Sequence, residues 1–311
     1  MGDGVTQKKV LVTGATGFLG RSVVPRLLRE GWDVTAAGRT LSVSPFGKDV
    51  AALSGDLSKA EDARRLLSPW RWDSVVNLAG AVPRSARKGE IEAGAILQHG
   101  AIALGIALAV PKDWQGRFVH ASSMTVYGLP EALPVTEAHP RKPLDAYGAV
   151  KSFSEDVIFG LAAEAGWDAW VLRFPGLFSE TRKEGALYHF MLAAAGGRPL
   201  LVNAPALTPW DVLHVEDAAE AVARALKSSG KNPGAVNISY GEPVELEAVA
   251  RAVARRAGGA VSIENPRKIS HPVFQMDISR AKALFGWPPA TLEERLGALW
   301  NALREPAEVR A

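Results

Sequence analysis

The chain has 311 residues, enough for one large or two modest domains with a substantial core. Lysine and arginine exceed aspartate and glutamate by only three (36 against 33), and no basic run resembles a nucleic-acid arm, so a nucleic-acid partner is not expected. The absence of cysteine excludes disulfides, a thiol nucleophile and thiolate-bound metal, fits a reducing cytoplasm, and leaves no metal site expected.

The first nine residues hold no apolar segment of signal-peptide type. Residues 10–20 then read as strand, tight turn and helix. An apolar run ends in Gly14-Ala15-Thr16-Gly17, and a helical pattern follows on Phe18, Leu19, Val23, Val24 and Leu27. Gly14 suits a sharp exit from the strand, and Gly17 a close approach of backbone N–H groups to a bound group. Gly20 would let helix and strand pack closely. The N-terminus of such a helix offers unpaired donors and partial positive charge, which suits a pyrophosphate. A strand-to-helix turn without a ligand would look the same.

A second strand over 33–38 delivers Gly38, Arg39 and Thr40. An acidic residue there would accept from a ribose 2′-hydroxyl, whereas the Arg39 guanidinium can pair bidentately with a 2′-phosphate, so NADP is expected over NAD. A solvated surface arginine is the plain alternative. A third strand over 50–55 ends at Asp56 and Leu57, where Asp56 could meet an adenine amino group or cap the helix expected over 59–67. A fourth, over 74–78, ends at Leu78, and Ala79-Gly80-Ala81 then allows close backbone approach to the cofactor. Residues 93–110 form a long apolar stretch, but Gln98 and His99 interrupt it and it lacks basic flanks. It reads as a buried helix beside a sheet, and no membrane span is expected. This alternation of short strands and helices predicts a doubly wound parallel α/β sheet, the Rossmann arrangement, covered on both faces.

A fifth strand over 117–121 leads to Ser122 and Ser123, and a proline-containing loop precedes a helix that carries Tyr147 and Lys151 and runs to about residue 165. Spacing of i, i+4 puts the phenol and the amine on one helix face. An adjacent ammonium favours the phenolate of a tyrosine whose ordinary pKa is about 10. Tyr147 can then exchange a proton with a substrate hydroxyl or carbonyl while hydride moves to or from nicotinamide; Lys151 can also meet the ribose. Ser123 can orient the same substrate oxygen. A packed tyrosine beside a solvated lysine is the competing reading, weakened by the order of glycine turn, strand-end serine and tyrosine helix.

A sixth strand over 167–174 leads into Pro175-Gly176, whose backbone could meet the nicotinamide carboxamide. Residues 211–215, 216–227 and 236–238 look like a further strand, helix and strand returning to the sheet. Helices near 246–257, 279–285 and 292–303 would form a smaller domain. The expected division is a cofactor domain over 1–175, rejoined by 209–240, and a smaller C-terminal substrate-binding domain within 176–311.

With these pieces the chain resembles the extended short-chain dehydrogenase/reductases, the NAD(P)-dependent epimerase/dehydratase family. The likeness covers nearly the whole length: Thr13 to Gly20, Asn77-Leu78-Ala79-Gly80, Ser122 to Gly128, Pro134-Val135-Thr136-Glu137, Tyr147 to Lys151, Leu213-His214-Val215-Glu216-Asp217 and Asp277 to Lys282. The resemblance implies Ser123, Tyr147 and Lys151 as the catalytic group, hydride transfer at a secondary alcohol or carbonyl carbon, a small-molecule substrate such as a nucleotide sugar, and a homodimer built on paired helices.

Three departures stand out. Sugar dehydratases of this type carry an Asp-Glu pair where Met124 and Thr125 stand, so dehydration is disfavoured. Gly176 and Trp210 replace an asparagine and an arginine that serve the diphosphate in epimerases, although Arg267 could supply another diphosphate contact. His99 stands where many relatives have asparagine, and could serve a proton relay or simply pack in the core. Trp210, Trp167, Trp170 and Met124 could line an apolar pocket, or most could be core. An NADPH-dependent reductase of an apolar carbonyl compound and a non-catalytic dinucleotide-binding scaffold are the alternatives; retention of serine, tyrosine and lysine argues against the scaffold.

Overall fold

The computed structural model describes residues 7–80, 93–202, 210–243, 245–258, 262–264 and 273–304. In chain order the elements are β1 (Lys9–Thr13), α1 (Gly20–Arg29), β2 (Asp33–Gly38), β3 (Ala51–Ser54), α2 (Ala60–Leu66), β4 (Ser74–Asn77), α3 (Ala93–Ala109), β5 (Arg117–Ser123), a single 3-10 turn (Met124–Val126), α4 (Ala146–Ala165) and β6 (Asp168–Phe174). There follow β7 (Gly176–Phe178), α5 (Ala186–Ala195), β8 (Leu200–Leu201), β9 (Val212–His214), α6 (Val215–Lys227), β10 (Gly234–Asn237), α7 (Leu246–Arg256), β11 (Ile263–Glu264), α8 (Ser279–Phe285) and α9 (Leu292–Arg304).

Seven strands form one sheet in the order β10-β6-β5-β4-β1-β2-β3, and the pairs β1–β2, β1–β4, β2–β3 and β4–β5 are parallel. The order reverses between β1 and β4, the switch point where doubly wound sheets open a crevice at the strand C-termini. Every residue of β4 and β6 is buried, as expected of inner strands covered on both faces, whereas the edge strand β3 is only partly covered. Leu11, Val75 and Phe118 pack on one face with Leu57, Ile102, Ile106, Ile158 and Trp167, which joins α2, α3 and α4 to the sheet. Val23, Val24 and Leu27 are the buried stripe of α1, which salt bridges tie to α6 through Arg26–Glu220 and Glu30–Lys227.

Two compact units are present. The first comprises Met1–Gly128, Pro140–Arg173 and Ala219–Val236; the second comprises Leu129–His139, Phe174–Ala218 and Asn237–Ala311. In the second unit β7 pairs in parallel with β9, and β8 with β11. The sequence expectation that the 211–215 strand joins the main sheet is therefore corrected: β9 pairs with β7 in a sheet of two, and β10 is the later strand that joins the seven. Trp167 and Trp170 are wholly buried in the first unit, Trp167 against Phe118 and Trp114, and Trp170 beneath the Arg117 guanidinium. They are core residues and line no pocket.

Among the described residues no helix is long and apolar enough to cross a membrane.

Candidate active site

The glycine turn after β1 has little room for side chains. Gly14 has φ +67°, and a Cβ there would stand 2.7 Å from the Ala79 nitrogen, so the turn is packed against the residues leaving β4. Gly20 opens α1, and a Cβ on it would fall 2.3 Å from the Gly14 carbonyl oxygen and 2.5 Å from that of Ala15. Its missing side chain thus accommodates the turn itself, which refines the helix-to-strand role expected from sequence. Gly17 and Gly80 are exposed; Thr16, Phe18, Leu19, Leu78 and Ala79 are half-buried. A glycine-rich backbone cradle at a helix N-terminus, bare of side chains at Gly14, Gly17 and Gly20, fits a dinucleotide pyrophosphate.

Beneath this cradle runs a buried polar chain. Thr13 Oγ1 donates to Asn77 Oδ1 at 2.8 Å, and Asn77 Nδ2 lies 3.2 Å from His120 Nδ1, which joins β1, β4 and β5. Burial holds His120 well below the usual histidine range, so it is neutral.

At the exit of β2, Arg39 is exposed and its carbonyl accepts from Ser54 Oγ. Gly38 leaves ordinary van der Waals space, with Thr16 Oγ1 3.7 Å from where a Cβ would be. Asp56 Oδ1 accepts from both the amide and the hydroxyl of Ser58, and these bonds hold its carboxyl below the usual range. Asp56 therefore shapes the turn into α2 with one oxygen. Leu57 is buried beside it.

The candidate reacting residues lie on β5 and on α4, which rests on the turn after β5. Ser123 ends β5, and its Oγ accepts from the Thr125 amide at 3.2 Å and the Thr125 hydroxyl at 3.0 Å. With both of those groups donating, the serine's own O–H proton is left to donate elsewhere. Asp145 caps α4, accepting from the Gly148 amide at 2.7 Å. Gly148 matters for a second reason: a Cβ on it would lie 2.6 Å from the Thr125 carbonyl oxygen, so the first turn of α4 rests directly on the turn after Ser123. Tyr147 is the neighbouring residue in that same turn of α4. Its ring meets His99 edge-to-face with centroids 5.6 Å apart, and a Cβ on Gly80 would strike the His99 ring at 2.2 Å. His99, on α3 and almost fully buried, thus spans from the end of β4 to the phenol.

One helical turn on, Lys151 is buried, with Nζ 5.8 Å from the Tyr147 ring centre and donating to the Ala121 carbonyl at 2.6 Å. Burial pushes this amine down to about 7, while Glu155 pulls it up. Met124 is buried and Thr125 half-buried.

The remaining candidates lie in the second unit. Pro175 is buried, Gly176 is exposed and Trp210 is half-buried, and the Gly176 amide donates to the Asp211 carbonyl at 3.0 Å. This bond brings Gly176 beside the Trp210-Asp211 segment. Arg267 and Ala81 lie outside the described residues. Sequence reasoning missed Glu155 and Arg173, a buried ion pair one turn beyond Lys151. Its legible signal was a carboxylate four residues after Lys151 on a helix face that is otherwise sequestered. Among the described residues no cluster of three His, Asp or Glu is placed to hold a metal ion.

A doubly wound sheet, a glycine-rich turn at its switch point and a phenol-amine pair on the helix after β5 define an enzyme that works with a nicotinamide dinucleotide. The chain belongs to the NAD dependent epimerase/dehydratase family, which it matches over residues 10–239, and is an epimerase or dehydrogenase of the extended short-chain type. It is 27% identical over 321 residues to a UDP-glucose 4-epimerase of Neisseria meningitidis serogroup C, covering 90% of this chain and 92% of that one. It is 28% identical over 311 residues to a dTDP-6-deoxy-L-talose 4-dehydrogenase (NAD(P)(+)) of Kitasatospora kifunensis, covering 94% and 95%. Its fold is similar to that of a UDP-glucose 4-epimerase from Thermotoga maritima solved with UDP-glucose, with TM-score 0.79, 22% identity and coverage of 95% and 98%. A Thermus thermophilus UDP-glucose 4-epimerase in complex with NAD gives TM-score 0.75 at 23% identity, covering 96% and 100%.

Proposed function

We propose that the chain oxidises and re-reduces, or simply oxidises or reduces, one secondary alcohol carbon of a nucleotide sugar, with Ser123, Tyr147 and Lys151 as the reacting group. The observation that supports this reading most is the seating of the first turn of α4, which carries Tyr147, on the Thr125 carbonyl through Gly148. The curated relatives supply the substrate class. Bound nicotinamide supplies the hydride acceptor and donor. Tyr147 as phenolate takes the proton of the reacting hydroxyl and returns it to the carbonyl oxygen in the reverse step. Ser123 donates a hydrogen bond to that same oxygen, and the Lys151 ammonium favours the phenolate. Met124 and Thr125 offer no acid-base pair for loss of water.

Gly14, Thr16, Gly17, Phe18, Leu19 and Gly20 would hold the pyrophosphate side of the cofactor. Asp56 and Leu57 would hold the adenine, and Leu78, Ala79, Gly80 and Pro175 the nicotinamide half. Arg39 supports NADP over NAD, because an exposed guanidinium and no carboxylate stands directly at the exit of β2. Gly176, Trp210, Met124, Thr125 and Arg267 are the proposed substrate contacts. A homodimer on α3 and α4 is supported by Leu97 and Phe153, apolar side chains 73% and 53% exposed on those two helices. The enzyme is proposed to be cytoplasmic.

Trp210 favours a second reading, reduction of an apolar ketone, since an indole replaces a phosphate-binding guanidinium. The test is a panel of UDP-glucose, a dTDP-sugar and apolar ketones, followed by cofactor absorbance and product chromatography. Interconversion of a sugar epimer pair, or stoichiometric cofactor turnover with a nucleotide sugar, supports the first reading. NADPH consumption with ketones alone replaces it by the second.

A further inference from the structure

A carboxylate with no part in the chemistry above sits in the middle of this site. Glu155 is wholly buried on α4 at i+8 from Tyr147 and i+4 from Lys151, on the same helix face. Its Oε2 accepts from Arg173 Nη2 at 2.6 Å and its Oε1 from Arg173 Nε at 3.0 Å; Ser122 Oγ donates to Oε1 as well. Arg141 reaches Oε2 at 3.4 Å. Arg173 continues to the Tyr127 hydroxyl at 2.8 Å, just past the 3-10 turn. Three pieces of chain therefore converge on this carboxylate of α4: the end of β5 immediately before Ser123, the end of β6 and the segment before α4, with the residue closing the turn after Ser123 joined through Arg173. Lys151 anchors its amine on Ala121, the residue before Ser122.

We propose that Glu155 is a positioning residue of the reaction: it locks α4 to the end of β5 so that Tyr147 and Lys151 face Ser123, and its buried charge keeps Lys151 an ammonium. This rests on the reading of Lys151 as the cation beside the phenolate. A buried charge in a poorly solvated site acts strongly on its neighbours, and opposite charges within a few ångströms favour the ionised form. Burial already drives the Lys151 amine down to about 7, with Glu155 the opposing influence. The other groups around the amine cannot replace it. His99 on α3 and Tyr127 after the 3-10 turn carry no negative charge, His120 on β5 is neutral, and Tyr147 on α4 is anionic only as the phenolate that the ammonium itself favours. Arg173 on β6 is the cation that Glu155 pairs with, and Arg141 before α4 is shared between Glu155 and the exposed Asp156.

The test follows the charge on Lys151 directly, in full-length protein labelled with [13Cε]lysine. NMR titration gives the midpoint for the resonance that Lys151→Met removes. Glu155→Gln should lower that midpoint by about one pH unit or more. Because a lone buried guanidinium can unfold the protein, Glu155→Gln/Arg173→Gln, which removes both charges and keeps amides in their place, is the second variant. It should lower the midpoint as well, by less than the single variant, because the buried cation that opposes the carboxylate is removed with it. A midpoint at the wild-type value in the folded variants overturns the proposal, because a purely structural brace would leave the titration unmoved. If no sugar or ketone is turned over by the wild type yet the midpoint shifts, the functional reading falls and the coupling of Glu155 to Lys151 stands.

Discussion

At the residue scale, the phenol of Tyr147 is the proposed proton carrier, and its removal is the way to separate binding from chemistry. Tyr147→Phe keeps the ring that meets His99 and deletes the proton carrier. Turnover should fall roughly 100-fold or more while NADP and NAD still bind, as measured by steady-state rate and calorimetric titration. An unchanged rate removes Tyr147 from the mechanism. Asp211 offers a prediction about stability. It is buried, and desolvation pushes its carboxyl up to about 7 against the bonds from Ser239 and Val212. The native state therefore binds this proton more tightly than the unfolded chain, whose aspartate has its ordinary value near 3.8. Between those two values the native state loses stability as pH rises, because ionisation is opposed only in the folded form. Asp211→Asn should remove that loss, so that its thermal midpoint relative to the wild type improves from pH 5 to pH 8. A parallel pair of curves would show that Asp211 ionises without cost.

At the scale of elements, Arg117 holds together parts that are distant in the chain. From the start of β5 its guanidinium pairs with Asp168 of β6 and donates to the carbonyls of Ser228 and Gly230 just beyond α6, at 2.8 and 2.7 Å, and of Ala225 within it. It also lies over the Trp170 ring with 4.8 Å to the centroid. Arg117→Met leaves a mostly buried carboxylate and several carbonyls without their donor, and should cost about 3 kcal/mol or more in denaturant unfolding. The site at the opposite ends of the strands should keep its ligand affinity in the folded fraction. None of these partners was legible from sequence, since an arginine opening a strand does not announce three carbonyls more than a hundred residues away. The same holds for Glu155 and Arg173: helix spacing places the carboxylate behind Lys151, but only the packing of β6 beside β5 supplies its cation. By contrast, the glycine turn, the exit of β2 and the Tyr147–Lys151 spacing are local patterns, and local patterns are what a sequence displays.

At the scale of the whole molecule, alternating apolar runs and helices sufficed for the doubly wound parallel sheet, because strands buried on both faces have few ways to be covered. The pattern could not say which short apolar run joins which sheet. Residues 212–214 look like an inner strand, yet they pair with the three-residue β7, which is too short to leave a periodic signal. Assembly is the property to measure at this scale. If α3 and α4 carry a dimer contact, Leu97→Glu/Phe153→Glu should convert a dimer into a monomer in light scattering, with the fold intact by circular dichroism. A wild-type monomer at micromolar concentration would exclude that interface.

The tight fit around Gly14 and Gly20 has a consequence for how this enzyme can change. Their surroundings are backbone atoms, which cannot step aside, so neither position tolerates even a methyl group. The bend after β2 is different, since Gly38 has ordinary clearance and Arg39 projects into water. On the proposed role of Arg39, coenzyme preference can therefore be rewritten at one solvent-facing corner without touching the crowded turn, and Arg39→Asp should shift relative affinity from NADP towards NAD in calorimetric titration.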